Sequence, residues 1–111
     1  MTLSEKQQAF SKDVIRLLIH INESGYQFTF GETWRSHEQA ELYAKCGKGI
    51  VNSLHCQRMA IDINLFKDSV WLQAVSDHKP FADYWKSLSP MNRYGGDFKR
   101  VDSDHYERND I

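Results

Sequence analysis

The stretch Met59-Ala60-Ile61-Asp62-Ile63-Asn64-Leu65-Phe66 decides the fold. Successive side chains on an extended chain point to opposite faces, so Ile61, Ile63 and Leu65 share one face and Ala60, Asp62 and Asn64 the other. The reading is a strand with one side in a core and an acid, Asp62, projecting from the other. A carboxylate placed in this way stands on a rigid support.

Upstream of this strand, Gly47, Gly49, Asn52 and Ser53 mark residues 47 to 53 as a loop. Before the loop, Ser36 with Gln39 has the form of a capping box, and Ala40, Leu42, Tyr43 and Ala44 continue as a short helix to Gly47. Tyr26 to Phe30 alternates aromatic and polar residues as a half-buried strand does. Ser4 with Gln7 repeats the capping box, followed by Phe10, Val14, Leu17, Leu18 and Ile21 at helical spacing and by Gly25 as a stop. Downstream, Pro80 opens a third helical segment through Phe81, Tyr84, Trp85 and Leu88, with Pro90 past its end. Gly95-Gly96 marks a tight turn or a close backbone approach, and His105 to Arg108 reads as a strand. These elements predict an α+β fold: helices packed on one side of a small, mainly antiparallel sheet, with a cleft on the open face.

The chain has 111 residues, 41% of them apolar, and no repeat or linker, so one domain over residues 1–111 is expected. A formal charge of −1, with basic residues scattered, gives no footprint for nucleic acid. No apolar run approaches the ~18 residues of a membrane span, so no membrane insertion is expected. Met1-Thr2-Leu3-Ser4-Glu5-Lys6 lacks the regions of a signal peptide, which predicts synthesis in the cytoplasm without a leader. Cys46 and Cys56 form no CxxC pair and read as free thiols.

The chemistry concentrates in two clusters. In the first, His55 at a loop end precedes Asp62 by seven residues; in the second, Asp102-Ser103-Asp104-His105-Tyr106-Glu107 adds another histidine. Two imidazoles and one carboxylate are a common zinc set, because three protein ligands leave the fourth tetrahedral position open for water, as hydrolysis requires. Both Asp102 and Asp104 stand beside His105 as candidates for a general base. Cys56 next to His55 is a candidate fourth ligand only on an irregular backbone, since adjacent side chains of an extended segment diverge. Asp97 reads as a turn acid or as an acid that orients a ligand histidine. His20 flanks the first helix stripe, His37 opens the second helix and His78 sits in a polar loop, so all three read as structural or solvated; Trp34, Trp71 and Trp85 read as core or groove wall.

The pattern Ser53-x-His55 with Ala60-x-Asp62, then Gly95-Gly96-Asp97-Phe98 and Asp102-x-x-His105-Tyr106-Glu107, resembles the zinc peptidases that include D-Ala-D-Ala dipeptidases and carboxypeptidases and phage L-alanyl-D-glutamate endopeptidases. The resemblance runs from about Thr33 to Glu107 and extends to Arg35-Ser36, Gln39 and Leu42-Tyr43-Ala44. It implies Zn²⁺ held by His55, Asp62 and His105, Asp102 as catalytic base, and Arg35 as the group that stabilises the oxyanion or holds a substrate carboxylate. Ser53 and Gln39 would help to position the substrate. Arg58 stands where the family has glycine, and Tyr94 where it often has tryptophan. The implied substrate is the peptidoglycan stem peptide, cut at L-Ala-D-Glu. The alternatives are removal of a terminal D-Ala, or a zinc-stabilised wall-binding module without catalysis, which Arg58 motivates. The small size resembles phage lysis enzymes, which implies a monomer acting on the cell wall beside a separate holin-like membrane permeabiliser.

Overall fold

The computed structural model describes residues 1–46 and 53–110. In chain order these form α1 (Leu3–Glu23), β1 (Gln27–Phe30), α2 (His37–Lys45), a 3-10 turn (Leu54–Gln57), β2 (Ala60–Lys67), β3 (Val70–Leu72), α3 (Val75–Leu88), β4 (Asn92–Tyr94), a second 3-10 turn (Gly95–Asp97) and β5 (His105–Arg108). The expected loop from Gly47 to Asn52, and with it the expected stop of α2 at Gly47, lies outside the described residues.

The sheet runs β1-β2-β5-β4, with β3 on β2, and every pairing is antiparallel. Strand β2 is its spine: Ile61, Ile63 and Leu65 are buried, while Asp62, Asn64 and Phe66 alternate toward the open face. On the buried side α1 contributes Phe10, Val14, Leu17 and Ile21, and α3 contributes Phe81, Ala82 and Trp85. Tyr94 and Tyr106 complete the cluster. Each fully buried large apolar side chain contributes ~1.5–3 kcal/mol, which makes this layer the main source of stability. The Trp85 indole N–H donates to the carbonyls of Arg93 (3.0 Å) and Glu107 (3.2 Å), so α3 also fixes the backbones of β4 and β5.

Local chemistry accounts for the helix ends, and in two places it corrects the sequence reading. The capping box of α1 is Thr2 with Glu5, two residues earlier than Ser4 with Gln7: the Thr2 hydroxyl accepts from the Glu5 amide (3.1 Å), and the Glu5 carboxylate accepts from the Thr2 amide (2.9 Å). A carboxylate in the first turn is favoured by the helix dipole in a way an amide is not. Helix α3 starts at Val75, with Pro80 inside it. Here the Asp77 carboxylate accepts the Ala74 amide (3.2 Å), and Pro80 removes only the bond that would reach back to exposed Ser76. The earlier start moves His78 from a loop into the helix, where it is fully buried.

Strands β3 and β4, three residues each, were not anticipated. Asp68 and Ser69 join β2 to β3 with φ of 51° and 66°, both positive as a two-residue type I′ hairpin demands. Trp71, read as core or groove wall, instead stacks on Phe66 on the exposed side of that hairpin.

Candidate metal centre

Three elements converge on the open face. Ser53 caps the 3-10 turn by accepting the His55 amide (3.2 Å), which fixes buried His55 at the rim of the sheet. Asp62 projects from β2, and its register partner is His105 on β5. The turn after His55 closes through Arg58, which adopts the left-handed conformation (φ 57°, ψ 37°). A glycine would take that conformation without steric cost. Arg58 holds it with its guanidinium 5.2 Å from the centre of the Trp34 ring, which is half-exposed rather than in the core.

The distances decide what this group can do. His55 Nε2 lies 3.2 Å from His105 Nδ1 and 3.2 Å from Asp62 Oδ1, and His105 Nδ1 lies 3.4 Å from Asp62 Oδ1. Three donors of a tetrahedral ion with bonds of about 2.0–2.1 Å stand ~3.3–3.4 Å apart, so this near-equilateral triangle fits such an ion. Asp62 Oδ1 is buried and has no well-directed hydrogen-bond donor among the described residues, although two ring nitrogens lie this close. His55, Asp62 and His105 could therefore hold a metal ion. Neither cysteine joins them; Cys46 and Cys56 are free thiols.

Electrostatics point the same way. Burial pushes the Asp62 carboxyl up, but His105 and His55 outweigh it and hold the group well below the usual carboxylate range. Burial pushes His105 down, yet Asp62 and Glu107 raise it to about 9. The site grips a proton that a cation would displace. Glu107 completes the arrangement: its Oε1 accepts from His105 Nε2 (2.6 Å), and its Oε2 accepts from Arg93 Nε (2.8 Å). This carboxylate orients the ring and leaves Nδ1 facing the triangle. The sequence offered Asp97 for that task or as a turn acid; it sits exposed in the second 3-10 turn and pairs with Lys86 (2.8 Å). The signal for Glu107 was its place two residues beyond His105, on the same face of a strand.

A cleft of about 900 Å³ borders the two histidines of the triangle, lined among others by Arg35, Ser53, His55, Arg93, Asp102 and His105. Asp102 borders this cleft, and its carboxyl is raised by burial and by the nearby charge of Asp62. Asp104 turns the other way, its Oδ1 3.5 Å from His78 Nε2. Gly95 holds the intervening loop close: the Asp102 amide donates to the Gly95 carbonyl (3.0 Å), and a Cβ at position 95 would stand 2.2 Å from the Asp102 carbonyl oxygen and 2.7 Å from His105 Cβ. Arg35 is clamped by Glu32, whose Oε1 accepts from Nε (2.6 Å) and lies 2.6 Å from Nη2 in an ion pair, and by the Tyr43 ring at 4.8 Å. Glu32 is the second acid missed from sequence; its signal was a carboxylate three residues before Arg35. Gln39 donates its amide to the Ser36 cap (3.0 Å) and does not line the cleft.

No family model matches the chain, and no curated protein matches it in sequence. Among solved structures it is similar to the L-Ala D-Glu endopeptidase ChiX of Serratia marcescens, with a TM-score of 0.71 and 17% identity over 95% of this chain and 84% of that one. The likeness at that identity is one of fold: this chain builds its His-Asp-His triangle on the architecture that ChiX also uses.

Proposed function

We propose that the chain is a zinc-dependent peptidase that cuts the stem peptide of bacterial peptidoglycan at the L-Ala-D-Glu bond. The observation that carries this reading is the triangle of His55 Nε2, Asp62 Oδ1 and His105 Nδ1 at 3.2–3.4 Å, whose two histidines line a cleft. The fold shared with ChiX supports the choice of bond. Zinc, when bound, polarises the scissile carbonyl and acidifies the attacking water.

The chain's own residues supply the rest. Asp102 takes the proton of the attacking water and delivers it to the leaving amine. Arg35, immobilised by Glu32 and Tyr43, presents its free edge to the developing oxyanion or to the substrate carboxylate beside the bond. Glu107 keeps the His105 ring in register. Ser53 acts by fixing the 3-10 turn that carries His55.

Purified peptidoglycan digested with the zinc-loaded protein, with and without a chelator, tests the proposal through product masses. Release of the stem at its first bond, abolished by the chelator and restored by zinc, is the expected result. Loss of a single terminal D-Ala would move the assignment to a carboxypeptidase. Wall binding without any cleavage would reduce the protein to a zinc-stabilised binding module. Asp102→Ala is expected to keep zinc while losing ~10²–10⁴ in turnover; full activity in that variant would remove Asp102 from its role.

A further inference from the structure

Glu32 lies outside the metal triangle and sits where three functional groups meet. Past the end of β1 the ladder with β2 continues: the Gly31 amide donates to the Asp62 carbonyl (2.8 Å), and the Asp62 amide donates to the Glu32 carbonyl (2.9 Å). This close pairing needs glycine at position 31, where a Cβ would approach Asp62 Cβ to 2.9 Å. The backbone of Glu32 is thus locked to a metal-ligand candidate. Its side chain reaches the other two groups: Oε1 accepts from Nε of Arg35 (2.6 Å), pairs with Nη2 at 2.6 Å and stands 3.8 Å from Nδ1 of His55. That Nδ1 is buried and has no hydrogen-bond partner among the described residues, while the opposite ring nitrogen belongs to the triangle. A further link, from the Arg35 amide to the His55 carbonyl (3.3 Å), keeps the two side chains side by side.

We propose that Glu32 is a positioning residue that couples the cleft arginine to the metal site, one carboxylate oxygen serving both the Arg35 guanidinium and the outer nitrogen of His55. The inference rests on the reading of His55, Asp62 and His105 as zinc ligands. His105 has its orienting carboxylate in Glu107 at 2.6 Å. Glu32, shared with an arginine and 3.8 Å from the outer nitrogen, would be the corresponding acid for His55. Because the oxygen is shared, a substrate anion that pulls on Arg35 also changes how His55 is held. Metal affinity and substrate affinity are then linked, which two independent supports would not produce.

Zinc affinity, read by competition with a chromophoric chelator, tests this in wild type, Glu32→Ala, Glu32→Gln, Arg35→Ala and the Glu32→Ala/Arg35→Ala double variant, with thermal unfolding of each metal-free form alongside. Glu32→Ala is expected to weaken zinc ~10–100-fold, the range for losing a residue that orients a ligand histidine, and Glu32→Gln to fall between it and wild type. In turnover, Glu32→Ala is expected to raise KM in wild type and to leave KM unchanged once Arg35 is alanine. Unchanged zinc affinity in Glu32→Ala, with only a lower unfolding temperature, overturns the proposal by making Glu32 purely structural. KM effects of Glu32→Ala and Arg35→Ala that simply multiply overturn the coupling. Wild type that binds no zinc sinks the metal reading itself; wild type that binds zinc and cleaves nothing sinks only the peptidase reading, and the affinity comparison still decides the role of Glu32.

Discussion

Neighbouring residues of β5 create two unlike histidine environments on opposite faces of one sheet. His105 points to the open face, where Asp62 and Glu107 flank its two nitrogens at 3.4 and 2.6 Å. Tyr106 points to the core, where its hydroxyl meets Nδ1 of His78 at 2.8 Å and the Tyr94 ring stacks 6.1 Å from the imidazole. Burial is alike, 7% exposed for His105 and none for His78, so burial cannot explain why one is raised to about 9 and the other lowered. The partners do: two closely set carboxylates retain a proton, whereas desolvation prevails for His78 over weaker support from the Leu72 backbone and from Asp77. One face raises the proton affinity of its histidine and the other lowers it.

The sharpest way to break this contrast is to replace each histidine by phenylalanine. His105→Phe should weaken zinc by more than ~100-fold, beyond what loss of an orienting partner alone does, and abolish turnover. His78→Phe should leave zinc affinity within ~3-fold and lower stability by about 1–2 kcal/mol, because the Tyr106 hydroxyl loses its partner. Equal effects on zinc would erase the distinction between the faces.

Next in size is Gly95→Ala. The new methyl would press on the Asp102 carbonyl and His105 Cβ, which backbone pairing holds in place. A loss of about 3 kcal/mol by urea unfolding is expected, at the upper end for overpacking. An unchanged midpoint would mean that the loop is not held as described.

The two histidines also predict opposite pH behaviour. Zinc binding near pH 7.5 should release about one proton, since His105 keeps its own up to about 9, and the release should vanish above that pH; calorimetry in buffers of different ionisation enthalpy reads it directly. In the metal-free protein, the stability that His105 contributes is complete below its unfolded value of ~6.5 and lost as pH rises through about 9. His78 has the reverse sign: its folded value lies below the unfolded one, so stability falls as pH drops below ~6.5, by at most ~1.4 kcal/mol per pH unit. Asp77, Asp104, Tyr94 and Tyr106 face His78, so the measurement is the difference between wild type and His78→Phe, which should move in favour of the variant as pH falls. A pH-independent difference would show that the fold does not lower the proton affinity of His78.

The smallest expected effect is that of Arg58→Gly. It removes a left-handed side-chain cost of ~1 kcal/mol and a cation–π contact with Trp34 worth ~0.5–1 kcal/mol, so the net change should stay within ~0.5 kcal/mol. Thermal unfolding measures it; a large loss would give the Trp34 contact a greater part than the turn geometry suggests.

Much of this was legible in the sequence because it was local. Ile61, Ile63 and Leu65 revealed their shared face, and Phe10, Val14, Leu17 and Ile21 their helix, without reference to any partner. The triangle was legible for the same reason, since its residue types and their supports are written in two short segments. Val70–Leu72 and Asn92–Tyr94 were not, because strands of three residues are defined by the neighbours they pair with. His78 was misplaced through one error of helix start. From Val75 onward, His78, Phe81, Ala82 and Trp85 form a buried stripe at spacings of three, four and seven, which a start at Pro80 hides. Glu32 was passed over, and Glu107 was quoted in its motif without a role, because what a supporting carboxylate does depends on its reach to the ligand and not on its place in the chain.

His55 and His105 stand 50 positions apart in the chain. A single ion gripped by both would clasp that span as a cross-link does, removing disorder from the unfolded ensemble as well as arming the cleft. Stripping it out should therefore leave the protein easier for a protease to open as well as inert, with digestion lifetime as a gauge of occupancy that needs no substrate at all.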